Sequence, residues 1–576
     1  MMASCLHGLG VSHGVAVGVV LRITRGQPIA SSARIDLGEV GAECTRLQSA
    51  CDRLRDELQL MQHRFAHQDA PGMAELVSLL GVQLSFLGES RLVRMSRDYI
   101  RKGHLSAPAA VSATLASIQD VYKQMSDPYL AARFEDIEAV GNRIIDMLHA
   151  HDHRPLQVPE GSILVAHAIT PADTVWLEPG RVVALAAETG GAQGHVAILA
   201  RALGIPAVLG VPGLLEKAQS GEQIIVDGSG WVCVQPDQND IDDANRRAES
   251  DRERMTELLG RAHQPAISKD GHIFSMQANL ELPQETGDVI AWGADGVGLL
   301  RTEFLFLDRG TLPSEDEQST ILIDIVKKLG GRAVTIRTLD VGGEKALPGF
   351  GNRDEDAENP ALGLRAVRLS LRNETAFRAQ IRSILRASHY GDVRILFPMV
   401  MSVEEVKKLR HIVDEEGAVL RQRGFPDLVV PPIGIMIEVP AAALSADLLC
   451  LHVDFLSLGT NDLTQYTLAI DRTNEQVADL YDPLHPGVLR LIQFSVRAGA
   501  RAGIPVTICG EMAGDPQLVP LLAGLGLDHF SMSPRAIPEV KDCIRRLNVK
   551  NLTRQVHELM VEHDPQVIRR FVDAAP

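Results

Sequence analysis

The C-terminal half of the chain repeats one pattern: a short apolar run, then a helical segment, then the next run. The candidate strands are His272–Asn279, Gly296–Thr302, Ala333–Thr338, Val393–Met399, Ile433–Glu438, Asp454–Thr460, Pro505–Glu511 and His529–Ser533. Runs of this length and composition, separated by helical segments, read as strands. Eight of them alternating with helices predict a (β/α)8 barrel of the TIM type. No other feature of the chain restricts its fold as strongly.

A barrel of this kind builds its active site from the C-terminal ends of its strands. Polar residues gather at those ends here: Asn279, Arg301, Arg337, Glu438, Asn461, Asp462 and Cys509. Packing needs alone do not place such a residue at nearly every strand end. Arg301 and Arg337 suit the bidentate grasp of a carboxylate or phosphate. Arg472, beyond the Asp462 loop, offers a third cationic contact. Glu438 and Asp462 are hard oxygen ligands, and with substrate oxygens they suit Mg²⁺. Cys509 ends a strand, where a thiol has the place of a proton donor to a carbanion or enolate. Two plainer readings stand beside these: structural ion pairing at a barrel mouth, and an ordinary core cysteine.

The N-terminal half has a different texture. Val15–Leu21 reads as a strand, and residues 37–147 as a helical block. Within it, Glu39–Gln68, Pro108–Met125 and Pro128–Leu148 carry apolar residues at helical spacing. From Gly161 the pattern turns to α/β, with strands at Ser162–Ala166, Val182–Glu188 and Gln223–Gly228. If Val15–Leu21 completes that sheet, the helical block is inserted into the small α/β domain. Between the last two strands lies Thr189–Gly210, in which glycines 190, 191 and 194 precede His195 at the start of a helix. A helix N-terminus presents free N–H groups and a positive dipole end, which favour an anion such as a phosphorylated imidazole. A histidine that merely caps a helix after a glycine turn is the plainer alternative. Asn239–Ala262 is densely charged and reads as a connecting helix.

The expected domains are therefore residues 1–36 with 151–238, an α/β phosphohistidine domain; 37–150, an inserted helical bundle; 239–262, a linker helix; and 263–576, the barrel. Composition narrows the function. The chain of 576 residues has a net charge of −17 and only 4% aromatics, so it repels phosphate backbones and offers few stacking platforms for bases. Nucleic acid is not an expected partner. Seven scattered cysteines without a CxxC pair argue against a disulfide framework or structural zinc. The opening residues lack a signal-peptide pattern and no apolar run spans a bilayer, so membrane insertion is not expected and the cytoplasm is the expected location.

Across these stretches the chain resembles enzyme I of the bacterial phosphotransferase system, the phosphoenolpyruvate-protein phosphotransferases. The resemblance covers essentially the whole chain. It is carried by the GGAQGHVAILAR, RTEFLFLDR, IRTLDVGGEKALP, NPALGLRAVR (Asn359–Arg368), VDFLSLGTNDLTQYTLAIDR and ICGEMAGDP segments. It implies that His195 is the phosphorylated histidine, with Thr170 near its imidazole. It implies that Arg301, Arg337 and Arg472 bind phosphoenolpyruvate, that Asn461 contacts its phosphate, and that Glu438 and Asp462 hold Mg²⁺. Asp462 then lies against substrate as well as metal, and Cys509 protonates the enolate to pyruvate. The helical block becomes the docking surface for the phosphocarrier protein HPr, and the barrel the homodimer interface. The implied activity is phosphoryl transfer from phosphoenolpyruvate to His195 and on to HPr, the first step of sugar uptake. Where the family usually has Thr-Ser before the histidine, this chain has Gln193 and Gly194. Two alternatives therefore stay open: a weakly catalytic regulatory scaffold that binds the carrier, and a dikinase-like enzyme lacking its ATP domain.

Overall fold

The computed structural model describes residues 4–23, 34–66, 81, 83–84, 86–88, 90–123, 137–138, 140–145, 147–148, 158–169, 181–190, 196, 200, 204–306, 311–342, 360–471, 477, 480–562 and 564–574. The chain divides into two compact units, Met1–Arg254 and Met255–Pro576.

The first unit is built on an eight-stranded sheet. Its strands are β1 (Ser4–His7), β2 (Leu9–Ser12), β3 (Val15–Ile23), β4 (Ser162–Ala166), β5 (Val182–Ala187), β6 (Ala207–Leu209), β7 (Gln223–Asp227) and β8 (Trp231–Val234). They lie in the order β1-β8-β7-β3-β4-β5-β6-β2. β3 to β6 run parallel, and the flanking pairs are antiparallel. β3, which contains the expected strand Val15–Leu21, thus sits in the middle of the sheet, between β7 and β4. β3 and β4 are parallel neighbours, so the helical block is the crossover that joins them.

Three helices of that block are α1 (Val40–Ala66), α2 (Arg91–Gly103) and α3 (Ala107–Lys123). α2 was not anticipated; its start is set by Ser90, whose side chain accepts a hydrogen bond from the Val93 amide at 3.3 Å. The expected helix over Pro128–Leu148 lies partly outside the described residues, and its described residues from 137 onward are helical. Leu47, Leu54 and Leu58 of α1 share one continuous apolar core with Val140 and Ile144 and with Leu164, Leu185 and Leu209 of the sheet. The insertion is therefore packed into the same core as the sheet that carries it. A further helix, α4 (Gln238–Gly260), follows β8 over the densely charged stretch.

In the second unit a two-residue strand β9 (Ala266–Ile267) pairs antiparallel with the first barrel strand. That strand is β10 (Ile273–Leu280), followed by β11 (Gly296–Leu300), β12 (Val334–Arg337), β13 (Val393–Phe397), β14 (Ile433–Ile437), β15 (Phe455–Leu458), β16 (Val506–Ile508) and β17 (His529–Met532). Each is parallel to the next, and β17 returns to β10, which also pairs with β11. The sheet is thus a closed eight-stranded parallel barrel, with every expected strand in place. Of the surrounding helices, α5 (Glu315–Lys328) and α7 (Val403–Gln422) start at the capping boxes Ser314/Glu317 and Ser402/Glu405. Between them in sequence, α6 (Glu374–Ser388) sends Arg378, Arg382 and Arg386 to Glu315 and Asp316 on one side and Glu415 and Glu416 on the other. No helix among the described residues is long and apolar enough to cross a membrane.

Candidate active site

Seven of the residues singled out at the barrel's strand ends are described, and the barrel brings them to one mouth. Arg337 is the last residue of β12 and only 8% exposed. Its Nη2 donates to Glu303 Oε1 at 2.8 Å, and its Nη1 lies 3.1 Å from Asp340 Oδ2. Burial alone would lower its pKa, but the carboxylates of Glu303, Asp340, Glu438 and Asp462 outweigh burial and raise it. The guanidinium is a fixed positive charge. Arg301, just past β11, reaches Glu281 Oε1 at 2.6 Å.

Glu438 follows β14 directly and has no exposed surface. Its Oε1 accepts the Met399 amide at 2.6 Å, an amide held by a left-handed residue (φ +57°), and its Oε2 has no protein partner. Burial, then the nearby Asp462 and Asp340 charges, pushes its pKa up to about 8, against the pull of Arg337 and Arg365. Gly459 faces this free oxygen: a Cβ there would stand 2.8 Å from Oε2. Asp462 occupies the first turn of α8 (Thr460–Leu468), 3.9 Å from Arg365. Two carboxylates, one with an orphan oxygen in a cradle only glycine leaves open, fit a hard divalent cation that completes its shell with substrate oxygens. Arg301 Nε, Glu303 Oε2, Arg337 Nε and Thr460 Oγ1 at the same mouth also lack protein partners. Such atoms in a native fold call for a ligand or water.

Cys509 directly follows β16 and packs in the barrel interior with Leu299, Leu396, Met436 and Phe455. Its thiol donates to the Leu458 carbonyl at 3.3 Å and accepts from Ser457 Oγ at 3.2 Å. Burial pushes its pKa up to about 11, so the group keeps its proton at neutral pH. Asn279 braces this segment, donating to the Cys509 carbonyl at 3.1 Å while accepting from Ser531 Oγ at 2.6 Å. Asn461 is tied to Glu511 by two bonds, one to its backbone amide at 3.0 Å and one to its side chain at 3.3 Å.

Sequence reasoning passed over Glu303, Asp340, Arg365 and Tyr466. Arg365 donates to both oxygens of Asp340, at 3.0 and 3.2 Å, and to the Tyr466 hydroxyl at 3.0 Å. It follows no strand, so the strand-end rule could not find it. A bridge between Gly342 and Arg365 and the left-handed residue Ala366 (φ +51°) carry it to the mouth. It does lie in the quoted Asn359–Arg368 segment, which was the available signal. His195, Thr170 and Arg472 lie outside the described residues. The strand leading to the histidine turn is described as far as Gly190, and there His167 Nδ1 and Glu188 Oε2 are 2.8 Å apart.

Three family models match in chain order: the N-terminal part of PEP-utilising enzymes over residues 7–133, their mobile domain over 158–230 and their PEP-binding domain over 256–549. The phosphoenolpyruvate-protein phosphotransferase of Priestia megaterium is 35% identical over 99% of both chains. The chain belongs to this family. The phosphotransferase of the same name from Cupriavidus necator is 38% identical over 98% of both chains. Among solved structures, an NMR structure of an Enzyme I protein is 26% identical and covers 43% of this chain and 99% of its own, with a TM-score of 0.37, too low to weigh on the fold. The family's PEP-binding region coincides with the barrel, and its mobile domain with most of the parallel part of the first sheet.

Proposed function

We propose that this phosphotransferase family member moves the phosphoryl group of phosphoenolpyruvate first to its own His195 and then to a histidine of the carrier protein HPr, releasing pyruvate, as the entry step of sugar uptake. The observation that carries this reading is the barrel mouth. There two arginines, Arg337 and Arg365, are held by buried carboxylates beside a glutamate with a free oxygen. A small trianion is drawn to such fixed cations on a chain whose net charge is −17.

In this reading Arg301, Arg337 and Arg472 grip the carboxylate and phosphate, and Asn461 orients the phosphate. Glu438 and Asp462 hold Mg²⁺. When bound, the ion neutralises phosphate charge and favours in-line displacement. The imidazole of His195, steadied by Thr170, attacks phosphorus as the enol oxygen leaves with its electron pair. The enolate then takes the proton of the Cys509 thiol at carbon, giving pyruvate and a thiolate that recovers its proton from solvent. The raised pKa of Cys509 supports a donor role, since the proton is present whenever substrate arrives. The N-terminal helical block is the surface offered to HPr. Immediately before His195, Gln193 and Gly194 replace two hydroxyls of the family pattern and are expected to slow the first transfer without abolishing it.

The domain limits set out above belong to this proposal, as do the cytoplasmic location and a homodimer formed through the barrel. For the dimer, the supporting feature is an apolar cluster of Leu444, Leu448, Leu451 and Phe494, all exposed, on the segment 440–452 and on α9 (Pro486–Ala502). The test incubates the chain with phosphate-labelled phosphoenolpyruvate and Mg²⁺. Acid-labile label that disappears in His195→Ala is the expected result. An unlabelled wild type that still binds the carrier would point instead to a scaffold, and labelling that requires ATP to a dikinase-like enzyme.

A further inference from the structure

Lys541 is a buried cation that the proposed chemistry does not use. It lies on α10 (Ile537–Arg546) of the barrel unit and is 1% exposed. A lysine in such a place needs partners, because an unpaired buried ammonium is among the costliest groups a protein can hold. Its Nζ donates to the Gly293 carbonyl at 2.6 Å and to the Ala262 carbonyl at 2.8 Å, with Asp295 Oδ1 at 3.9 Å. Burial lowers its pKa and the Asp295 charge opposes that, but either protonation state can donate both hydrogen bonds.

One turn further along α10, on the same face, Arg545 takes three more carbonyls. Its Nη2 donates to Gln264 at 2.8 Å and Arg261 at 3.2 Å, and its Nε to Pro265 at 3.4 Å. All these acceptors except Gly293 lie in the short segment that begins where α4 ends. The C-terminal end of a helix carries unpaired carbonyls and the negative end of its dipole, so two cations are well placed there. The backbone is fitted to the same contact. Gly293 has φ +75°, and a Cβ on it would stand 2.3 Å from the Ala262 oxygen. Only a glycine lets the Ala262 carbonyl approach Lys541 from that side.

α4 is also seated at its other end. Ala244 has no exposed surface and packs on Ile225 and Cys233, and Arg247 reaches Asp227 Oδ2 at 2.6 Å and covers the Trp231 ring. Between the two seats, residues 249–257 are exposed apart from the half-buried Met255.

We propose that Lys541, Arg545 and Gly293 form a clamp that fixes the root of α4 to the barrel, and that these are positioning residues for delivery of the phosphoryl group to His195. This rests on the phosphohistidine reading. A clamped root leaves bending to the exposed stretch 249–257. Releasing the root adds a joint where the fold has none, so productive encounters between His195 and bound phosphoenolpyruvate become rarer. Substrate binding at the opposite end of the barrel is untouched.

The test uses the full chain in five forms: wild type, Lys541→Met, Arg545→Gln, Arg545→Lys and Gly293→Ala. Arg545→Gln keeps the experiment decisive if the buried substitution fails to fold, since Arg545 is half-buried. Three readouts are compared: single-turnover labelling of His195 from phosphoenolpyruvate, phosphoenolpyruvate affinity by calorimetry in a His195→Ala background, and amide hydrogen exchange over 258–265. The clamp predicts faster exchange, labelling slowed by about ten- to a hundred-fold, the scale of misplacing a reacting group, and unchanged affinity. Arg545→Lys, which keeps a cation on the carbonyls, restores part of the rate. Unchanged exchange overturns the clamp. Faster exchange with normal labelling overturns its positioning role, and affinity that falls in step with rate reduces it to general support of the barrel. A wild type that is never labelled at His195 defeats the phosphohistidine reading and the positioning role with it, and the exchange readout still decides whether the clamp exists.

Discussion

The two units solve the problem of building a site in opposite ways. The barrel collects short strands that are each followed by their own helix, and its site gathers residues at or just beyond the strand ends, joined by Arg365 from a loop. The first unit threads one sheet through distant pieces of chain: β3 and β4 are neighbours with the whole helical insertion between them. Its outer strand β1 pairs with β8, which places Cys5 opposite Cys233 as free thiols at opposite ends of the unit's sequence. The mixed sheet packs β4 and β5 into a core shared with the insertion.

The sharpest way to break this comparison is to disable each unit separately. His195→Ala is expected to abolish labelling from phosphoenolpyruvate while calorimetry still detects substrate binding to the barrel. Loss of binding in that variant would mean that the units do not divide the work. Next in size is Cys509→Ala, which should keep affinity and lower pyruvate release by about 10²- to 10⁴-fold, the usual worth of a positioned proton donor; stopped-flow detection of pyruvate decides it. Arg365→Met tests the residue that sequence reasoning passed over. It removes one of the two arginine partners of buried Asp340 and a fixed cation of the mouth, and phosphoenolpyruvate affinity is expected to fall by about 2–5 kcal/mol, the cost of truncating one partner of a buried charge pair across a binding interface, against no change in carrier binding to the first unit.

A smaller effect concerns stability. Glu416 is buried and accepts from Arg378 at 2.7 Å and Arg382 at 2.6 Å. Glu416→Gln should destabilise the barrel by about 1–3 kcal/mol, the range of charge-assisted bonds, and leave the unfolding of the first unit unmoved. The last effect is silent at neutral pH. Burial, the largest cause in each case, raises Cys51, Cys450, Cys509 and Cys543 from 9.0 to about 11, and Cys233 to about 12. In the unfolded chain these thiols ionise near 9 while the folded chain still holds their protons, so stability falls as pH rises from about 9 toward 11. Three of the five lie in the barrel unit. Urea titrations at pH 8 and pH 10.5 should show both units weakened, the barrel more so, and equal midpoints at the two pH values would contradict the assignment of buried thiols.

The barrel was legible because its signal is local. Each strand is a buried apolar run, and the rule that sites form beyond strand ends needs no knowledge of which strands are neighbours. That rule picked out Asn279, Arg301, Arg337, Glu438, Asn461, Asp462 and Cys509, which the barrel brings to one mouth. It could not find Arg365 or Asp340, which arrive on a loop and matter through each other. In the first unit the strands β4, β5 and β7 were equally plain, but β1, β2, β6 and β8 are only three or four residues long, too short to carry a periodicity.

By itself the sequence determined the barrel, the insertion and which polar residues stand at the strand ends, because burial and spacing are written residue by residue. Only the tertiary structure decided which charges meet. It seated Arg365 between Asp340 and Tyr466, left one oxygen of Glu438 without a partner, and set Lys541 against the carbonyls of Ala262 and Gly293. The reason is physical. A buried charge is tolerable only with its partners, and those partners are fixed by contacts between residues far apart in the chain, which no local pattern records.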